Sequence, residues 1–286
     1  MIRTNPSAKP AKIPVYEAVD NRVERSLIDE FRYIRSYYPF FVYWVRRNLV
    51  ARYSQTSVGF LWAILQPLLT SLVYVLVFSL VLRIPTGDVP YPLFIVTMIV
   101  LWTYFNRIVF SGGASIITNL DIITRIRFPR ELLPLGIAVE SLVDLLFGFI
   151  IVGFLYIIYR QPLSPYMLIG FGVFVVHTIL ALGLAYFFAS LTSVFRDLTQ
   201  ILPVLLQLLL YLSPVIYPLT NVPDHLRTIY FLNPLAPIFA AYQETLFYHT
   251  FTLLPEMAYV TVVSVIVLFF GYRTFRAAQW RFADAL

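Results

Sequence analysis

Residues 47–67, RNLVARYSQTSVGFLWAILQP, decide how this chain is read. Arg47 and Arg52 belong to a basic, helix-prone segment that runs straight into an apolar stretch through Gly59, Phe60 and Trp62. From Val58 to Leu82 no side chain is charged, and about 20 mainly apolar residues suffice for a helix to cross a bilayer. The segment therefore marks a membrane entry, with a polar lead-in followed by a first span.

The rest of the chain agrees. Its 286 residues are 59% hydrophobic and only 13% charged, whereas soluble domains carry about 25% charged residues. One integral membrane domain is expected to account for nearly all of it. There is no cysteine, which excludes a disulfide, a thiol nucleophile and a cysteine-based metal site. Residues 1–58 are polar and Arg-rich and lack the apolar core of a signal peptide. The net charge of +6 is not read as a nucleic-acid footprint, because ten of the 21 Lys and Arg residues precede Val58.

Five more spans are expected after Val58–Leu82: Pro92–Gly112, Leu132–Tyr159, Tyr166–Leu191, Leu198–Tyr217 and Phe251–Tyr272. Thr228–Gln243 is also uncharged, but it is short and holds Pro234 and Pro237. It reads as two short helices that dip into the membrane and return, tolerated where protein covers the backbone. Six spans put both ends on one side. Seventeen Lys and Arg residues fall on that side, against Arg83, Arg160 and Arg227 opposite and Arg107 inside a span. The positive-inside rule makes both termini cytoplasmic.

The expected fold is all-α and membrane-integral. Residues 1–26 form a disordered N-terminus. Residues 27–57 form an amphipathic interface helix, in which Phe31, Ile34, Tyr38, Phe41, Val45 and Leu49 recur at helical spacing among arginines. Packing of that helix on the protein's own surface is the alternative. A six-helix domain covers 58–275, with a cytoplasmic loop near 119–131 and an external segment near 218–250, and a short tail covers 276–286. No internal repeat supports an inverted-repeat transporter.

A phosphate-binding loop of the Walker type needs a lysine, and the only lysines are Lys9 and Lys12. No HExxH, no GxSxG and no acidic cluster on a cytoplasmic loop is present, which argues against an enzyme. Glu140 and Asp144 share a helix face inside a span, where ionisable groups are rare and face a cavity or a partner. Arg107 is the expected partner. A structural ion pair, a proton relay and a polar path lining all remain open for this group. His177 is expected to be a core histidine bonded to a neighbouring helix. Aromatic residues make up 17% of the chain. Those at mid-span depth, Tyr74, Phe78, Tyr104, Phe105, Tyr186, Phe187, Phe188 and Tyr211, are candidates for lining a carbohydrate path, since aromatic faces stack on sugar rings. The loops Asn119–Leu133 and Ser193–Thr199 are candidates for docking a partner.

Several motifs occur in order: Arg52-Tyr53, Gly59-Phe60-Leu61-Trp62, Gln66-Pro67, Pro90-Tyr91-Pro92-Leu93-Phe94, Trp102, Phe128-Pro129-Arg130-Glu131, Pro134-Leu135, Leu142-Val143-Asp144, Phe195-Arg196-Asp197-Leu198, Ser213-Pro214-Val215-Ile216-Tyr217 and Asn233-Pro234. Together, over about 46–272, they resemble the permease subunit of type-2 ABC exporters of O-antigen, capsule or teichoic-acid chains. Arg107 is not among the residues that carry the resemblance.

The resemblance implies a homodimer with two copies of a separate ABC ATPase, which would hold the ATP and Mg; this chain would need no cofactor. It implies a coupling helix with Ile123, Arg125, Ile126, Arg127, Phe128 and Arg130, external gate helices within 218–247, and a membrane-lipid substrate, an undecaprenyl-pyrophosphate-linked glycan, threading between protomers. Arg46, Arg47 and Arg52 are the candidates for its pyrophosphate, since guanidinium suits phosphate geometry. A type-2 exporter of a small amphiphile or drug, and a membrane enzyme acting on polyprenyl-phosphate sugars, are the alternatives.

Overall fold

The computed structural model describes residues 35–54, 59, 61–81, 85–126 and 128–279. The chain divides after Ser36, and every element below belongs to the compact unit from Tyr37 onward. The expected disordered N-terminus, residues 27–34 and 55–57 of the lead-in and the last residues of the tail lie outside the described residues. Among those described, all regular structure is helical.

The lead-in helix is α1 (Tyr38–Ser54). The first apolar segment is α2 (Leu61–Tyr74), which continues as a π-helix over Val75–Val81. Gly59, between α1 and α2, has φ +56°, a left-handed conformation that costs other L-residues about 1–2 kcal/mol. This is the physical reason for glycine where the chain turns from lead-in to first apolar helix. Then follow α3 (Tyr91–Gly113) and two short helices, α4 (Ser115–Thr118) and α5 (Leu120–Arg125). The long helices α6 (Leu132–Ile158) and α7 (Tyr166–Thr192) precede α8 (Leu198–Tyr211). A 3-10 turn at Leu219–Asn221 leads to α9 (Asp224–Tyr230), α10 (Leu235–Gln243), a π-helical turn at Glu244–Tyr248 and α11 (Leu254–Ala278).

Among the described residues, four helices, α3, α6, α7 and α11, are long and apolar enough to cross a membrane. Their bounds lie close to the expected second, third, fourth and sixth spans, except that α11 runs past Tyr272 because nothing in RTFRAA breaks a helix. The apolar helices at the expected first and fifth spans are shorter, Ile64–Ser79 and Leu198–Tyr211. With 14 residues, α8 extends about 21 Å, less than a hydrocarbon core of about 30 Å. Its helix ends before Pro214, whose ring disfavours helix in the residue before it.

The core is built around α3, which packs on both α6 and α7. Of its most apolar stretch 78% is buried, against 22% for α11. Close helix approach depends on small residues, as in membrane bundles generally. A Cβ placed on Gly148 of α6 would lie 2.5 Å from Val100 of α3, and one on Gly271 of α11 would lie 2.2 Å from the carbonyl oxygen of Gly183 on α7. Helix α10 is wholly buried and packs against α7 and α11. Pro237 is tolerated in its first turn, where the N–H has no intrahelical acceptor. Gln243 closes the neighbouring turn by donating Nε2 to the Pro214 carbonyl at 2.6 Å and accepting from the Leu219 N–H at 3.0 Å.

The lead-in helix departs from a single apolar stripe. Trp44 and Val45 are buried, whereas Val42, Tyr43 and Val50 are exposed beside Arg46 and Arg47. Trp44 sits where a Cβ on Gly136 of α6 would collide with its ring at 2.2 Å. This indole helps to seat the helix on the protein body, and the outward face mixes aromatic and basic side chains.

Candidate functional site

The most charged interior feature joins three helices. Asn48 and Arg52 lie one turn apart on α1, Glu140 and Asp144 one turn apart on α6, and Arg107 projects from α3; pairs spaced by four share a helix face. Arg52 Nη2 meets Glu140 Oε2 at 2.5 Å and Arg107 Nη2 meets the same oxygen at 3.1 Å. Asp144 Oδ2 lies 3.4 Å from Arg52 Nη1 and also contacts Arg107 Nη1. Asn48 Nδ2 donates to the other Glu140 oxygen at 3.0 Å. The Glu140 side chain is fully buried, while that of Arg52 is 35% exposed. Two guanidinium groups thus share two carboxylates, and the lead-in helix is tied by charge to α3 and α6. Burying Glu140 in apolar surroundings is tolerable because both oxygens have donors.

The quartet lies at a cleft of about 650 Å³ between α2, α3 and α6, where Trp62 and Gln66 of α2 face Asn106, Arg107, Phe110 and Ser111 of α3 and Ser141 and Asp144 of α6. Positions 103, 107, 110 and 111 form one stripe of α3. The opposite side, with Leu101, Phe105 and Ile108, is core.

The aromatic candidates separate by burial. Phe105 is 0% exposed and stacks on His177 with ring centroids 5.2 Å apart, so it is a core residue and does not line a path. Tyr104 borders the cleft, but its hydroxyl is held by Thr178 at 3.0 Å. Tyr186 is buried and donates to the Glu131 carbonyl. Tyr74, Phe78 and Phe188 are half-buried, and Phe187 and Tyr211 are exposed. His177 is buried, with Nδ1 3.3 Å from the Tyr242 hydroxyl.

The coupling candidates also divide. Arg125 and Ile126 are exposed at the end of α5, and Ile123 is buried. Phe128 is buried against Phe40 in the first turn of α1, with centroids 4.9 Å apart, so it holds the loop to the body and offers no docking surface. Arg127 lies outside the described residues. Arg130 donates to the carbonyl of Gln279 at the end of α11, and Gln279 Nε2 returns a bond to Glu131. Burial draws the Arg130 pKa down, and the Glu131 carboxylate beside it acts in the opposite direction. Arg46 and Arg47 are exposed on α1.

Two participants escaped the sequence reading. Asn48 lies one turn before Arg52, and that i, i+4 spacing was the available signal. Gln279 gave none, since its partners are about 150 residues away.

The family model described as ABC-2 type transporter matches residues 40–247. Similar proteins include the O-antigen export system permease protein RfbA of Myxococcus xanthus, 30% identical over 245 residues and covering 85% of this chain and 93% of that protein. A Klebsiella pneumoniae protein of the same name is 28% identical, with 84% and 92% covered. The polysialic acid transport protein KpsM of Escherichia coli is 22% identical, with 82% and 91% covered.

Proposed function

Because the chain belongs to the ABC-2 type transporter family, we propose that it is the membrane-spanning subunit of an exporter for a lipid-linked polysaccharide of O-antigen type, driven by a separate ATPase. The observation that carries this reading is the likeness to O-antigen export permeases over 85% of the chain. The alternative of a membrane enzyme gains nothing from the quartet, whose carboxylates are engaged by guanidinium groups.

In this reading the subunit sits in the inner membrane with six spans, both termini in the cytoplasm and α9–α10 as external gate helices. Two copies enclose the channel. Tyr74, Phe78, Phe187, Phe188 and Tyr211 then serve as stacking platforms along the glycan path. Arg46 and Arg47 receive the lipid pyrophosphate at the cytoplasmic surface, whereas Arg52 is shared with Glu140 and Asp144. The short helix α5 docks on the ATPase through Arg125 and Ile126.

This docking is tested by Ile126→Asp. A charge at an apolar contact is expected to lower permease-dependent ATPase activity of the co-purified complex about tenfold while leaving the permease folded. Wild-type activity in Ile126→Asp would remove α5 from the docking surface, and failure of any ATPase subunit to co-purify with the wild-type chain would contradict the exporter reading.

A further inference from the structure

We propose that the cleft between α2, α3 and α6 is a binding site for uncharged sugar rings of the exported chain, separate from the path between protomers; this rests on the exporter reading above. Its volume, about 650 Å³, lies inside the range of about 300–1,000 Å³ typical of small-ligand sites and admits a short run of rings.

The chemistry of the walls selects the ligand. Arg52 and Arg107 bring two positive charges, and Glu140 and Asp144 balance them with two negative ones. A phosphate approaching Arg107 meets the Asp144 carboxylate on the same guanidinium, so the cleft offers it no net attraction. A sugar hydroxyl both donates and accepts. It can donate to Asp144 and accept from the amides of Gln66 and Asn106, which carry both kinds of group. Trp62 and Phe110 supply flat apolar faces at the same cleft. An ion-pair quartet serving only to hold α1 needs no adjoining cleft with two amides, Ser111 and an indole. Polar side chains in an apolar helix bundle are costly, and they concentrate where they face a cavity.

The natural chain lacks cysteine, which makes the test direct. Ser111→Cys places one thiol at the cleft, and Leu163→Cys, at an exposed position between α6 and α7, places one outside it. Maleimide labelling is followed for the full chain with its ATPase, in membranes from cells that make the glycan and from cells blocked in its first sugar-transfer step. Labelling of Ser111→Cys is expected to be about fivefold slower in glycan-making membranes, as occupancy protects a site in proportion to ligand bound, with Leu163→Cys unchanged. Equal fast labelling of Ser111→Cys in both membranes would overturn the proposal. Equal slow labelling would also overturn it, because a sugar-free lipid would then fill the cleft. In addition, Ser111→Phe is expected to cut export about tenfold with normal ATPase co-purification; full export would count against the site. If deletion of the chain stops export while Ser111→Phe exports normally and labelling of Ser111→Cys does not depend on the glycan, the cleft assignment alone fails. If deletion leaves export intact, the exporter reading fails.

Discussion

Replacing Gly271 by leucine is expected to abolish recovery of folded protein. The first carbon added at this position would lie 2.2 Å from the Gly183 carbonyl oxygen and 3.3 Å from the Phe187 nitrogen. These are backbone atoms of α7, so no side-chain rotation relieves the contact, and α7 and α11 must separate. Overpacking against movable side chains costs about 1–3 kcal/mol; here a whole helix pair is lost, a large share of a total stability of about 5–15 kcal/mol. Gly183→Ala, whose Cβ would lie 2.6 Å from the Leu268 nitrogen, is expected to be severe as well. Gly153→Ala and Gly172→Ala are the controls, since nothing lies within 4 Å of a Cβ at either. Each is expected to be neutral or to gain up to about 1 kcal/mol of helix propensity. Detergent extraction followed by size-exclusion chromatography separates the outcomes: no monodisperse peak for Gly271→Leu, and a normal peak for both controls. A normal peak for Gly271→Leu would mean that α7 and α11 do not approach so closely.

Glu140→Leu is the second large effect. It removes the acceptor shared by Arg52, Arg107 and Asn48 and leaves two guanidinium groups beside Asp144 alone. Removing one member of a buried ion pair costs about 3–5 kcal/mol, chiefly because the remaining charge stays buried. Glu140→Gln keeps an acceptor for Asn48 and is expected to cost less, about 1–3 kcal/mol. The double variant Glu140→Leu with Arg107→Met is expected to recover part of the loss, since it withdraws one stranded charge along with its partner. Thermal midpoints of the wild type, Glu140→Leu, Arg107→Met and the double variant form a cycle whose coupling term reads the interaction. Additive effects would mean that Arg107 and Glu140 do not act together in the membrane.

The helices were legible where composition is unambiguous. Leu132–Ile158 and Tyr166–Thr192 are long apolar runs bounded by turn-forming residues, and the expected limits fall within a residue of the observed ones. Which face of each helix is covered was not legible. In a bilayer the lipid-facing and protein-facing surfaces are both apolar, so no polar stripe marks the outside. For this reason Phe105, a core residue stacked on His177, and Tyr211, exposed on α8, could not be told apart beforehand. The same applies to Phe128, whose neighbour Phe40 is distant in sequence. Charged residues behaved differently. The i, i+4 spacing of Glu140 and Asp144 told which face they share, because charge inside an apolar helix demands a partner. What it left out was the third helix: α1 brings Arg52 and Asn48 to the same carboxylates.

Export itself is measured most directly by deleting the gene and following the lipid-linked glycan on the two faces of the inner membrane. The predicted result is loss of the surface polysaccharide with accumulation of undecaprenyl-linked glycan facing the cytoplasm, both reversed by the wild-type chain but not by Gly271→Leu. Unchanged surface polysaccharide, or a loss of glycan synthesis with no accumulated intermediate, would contradict it.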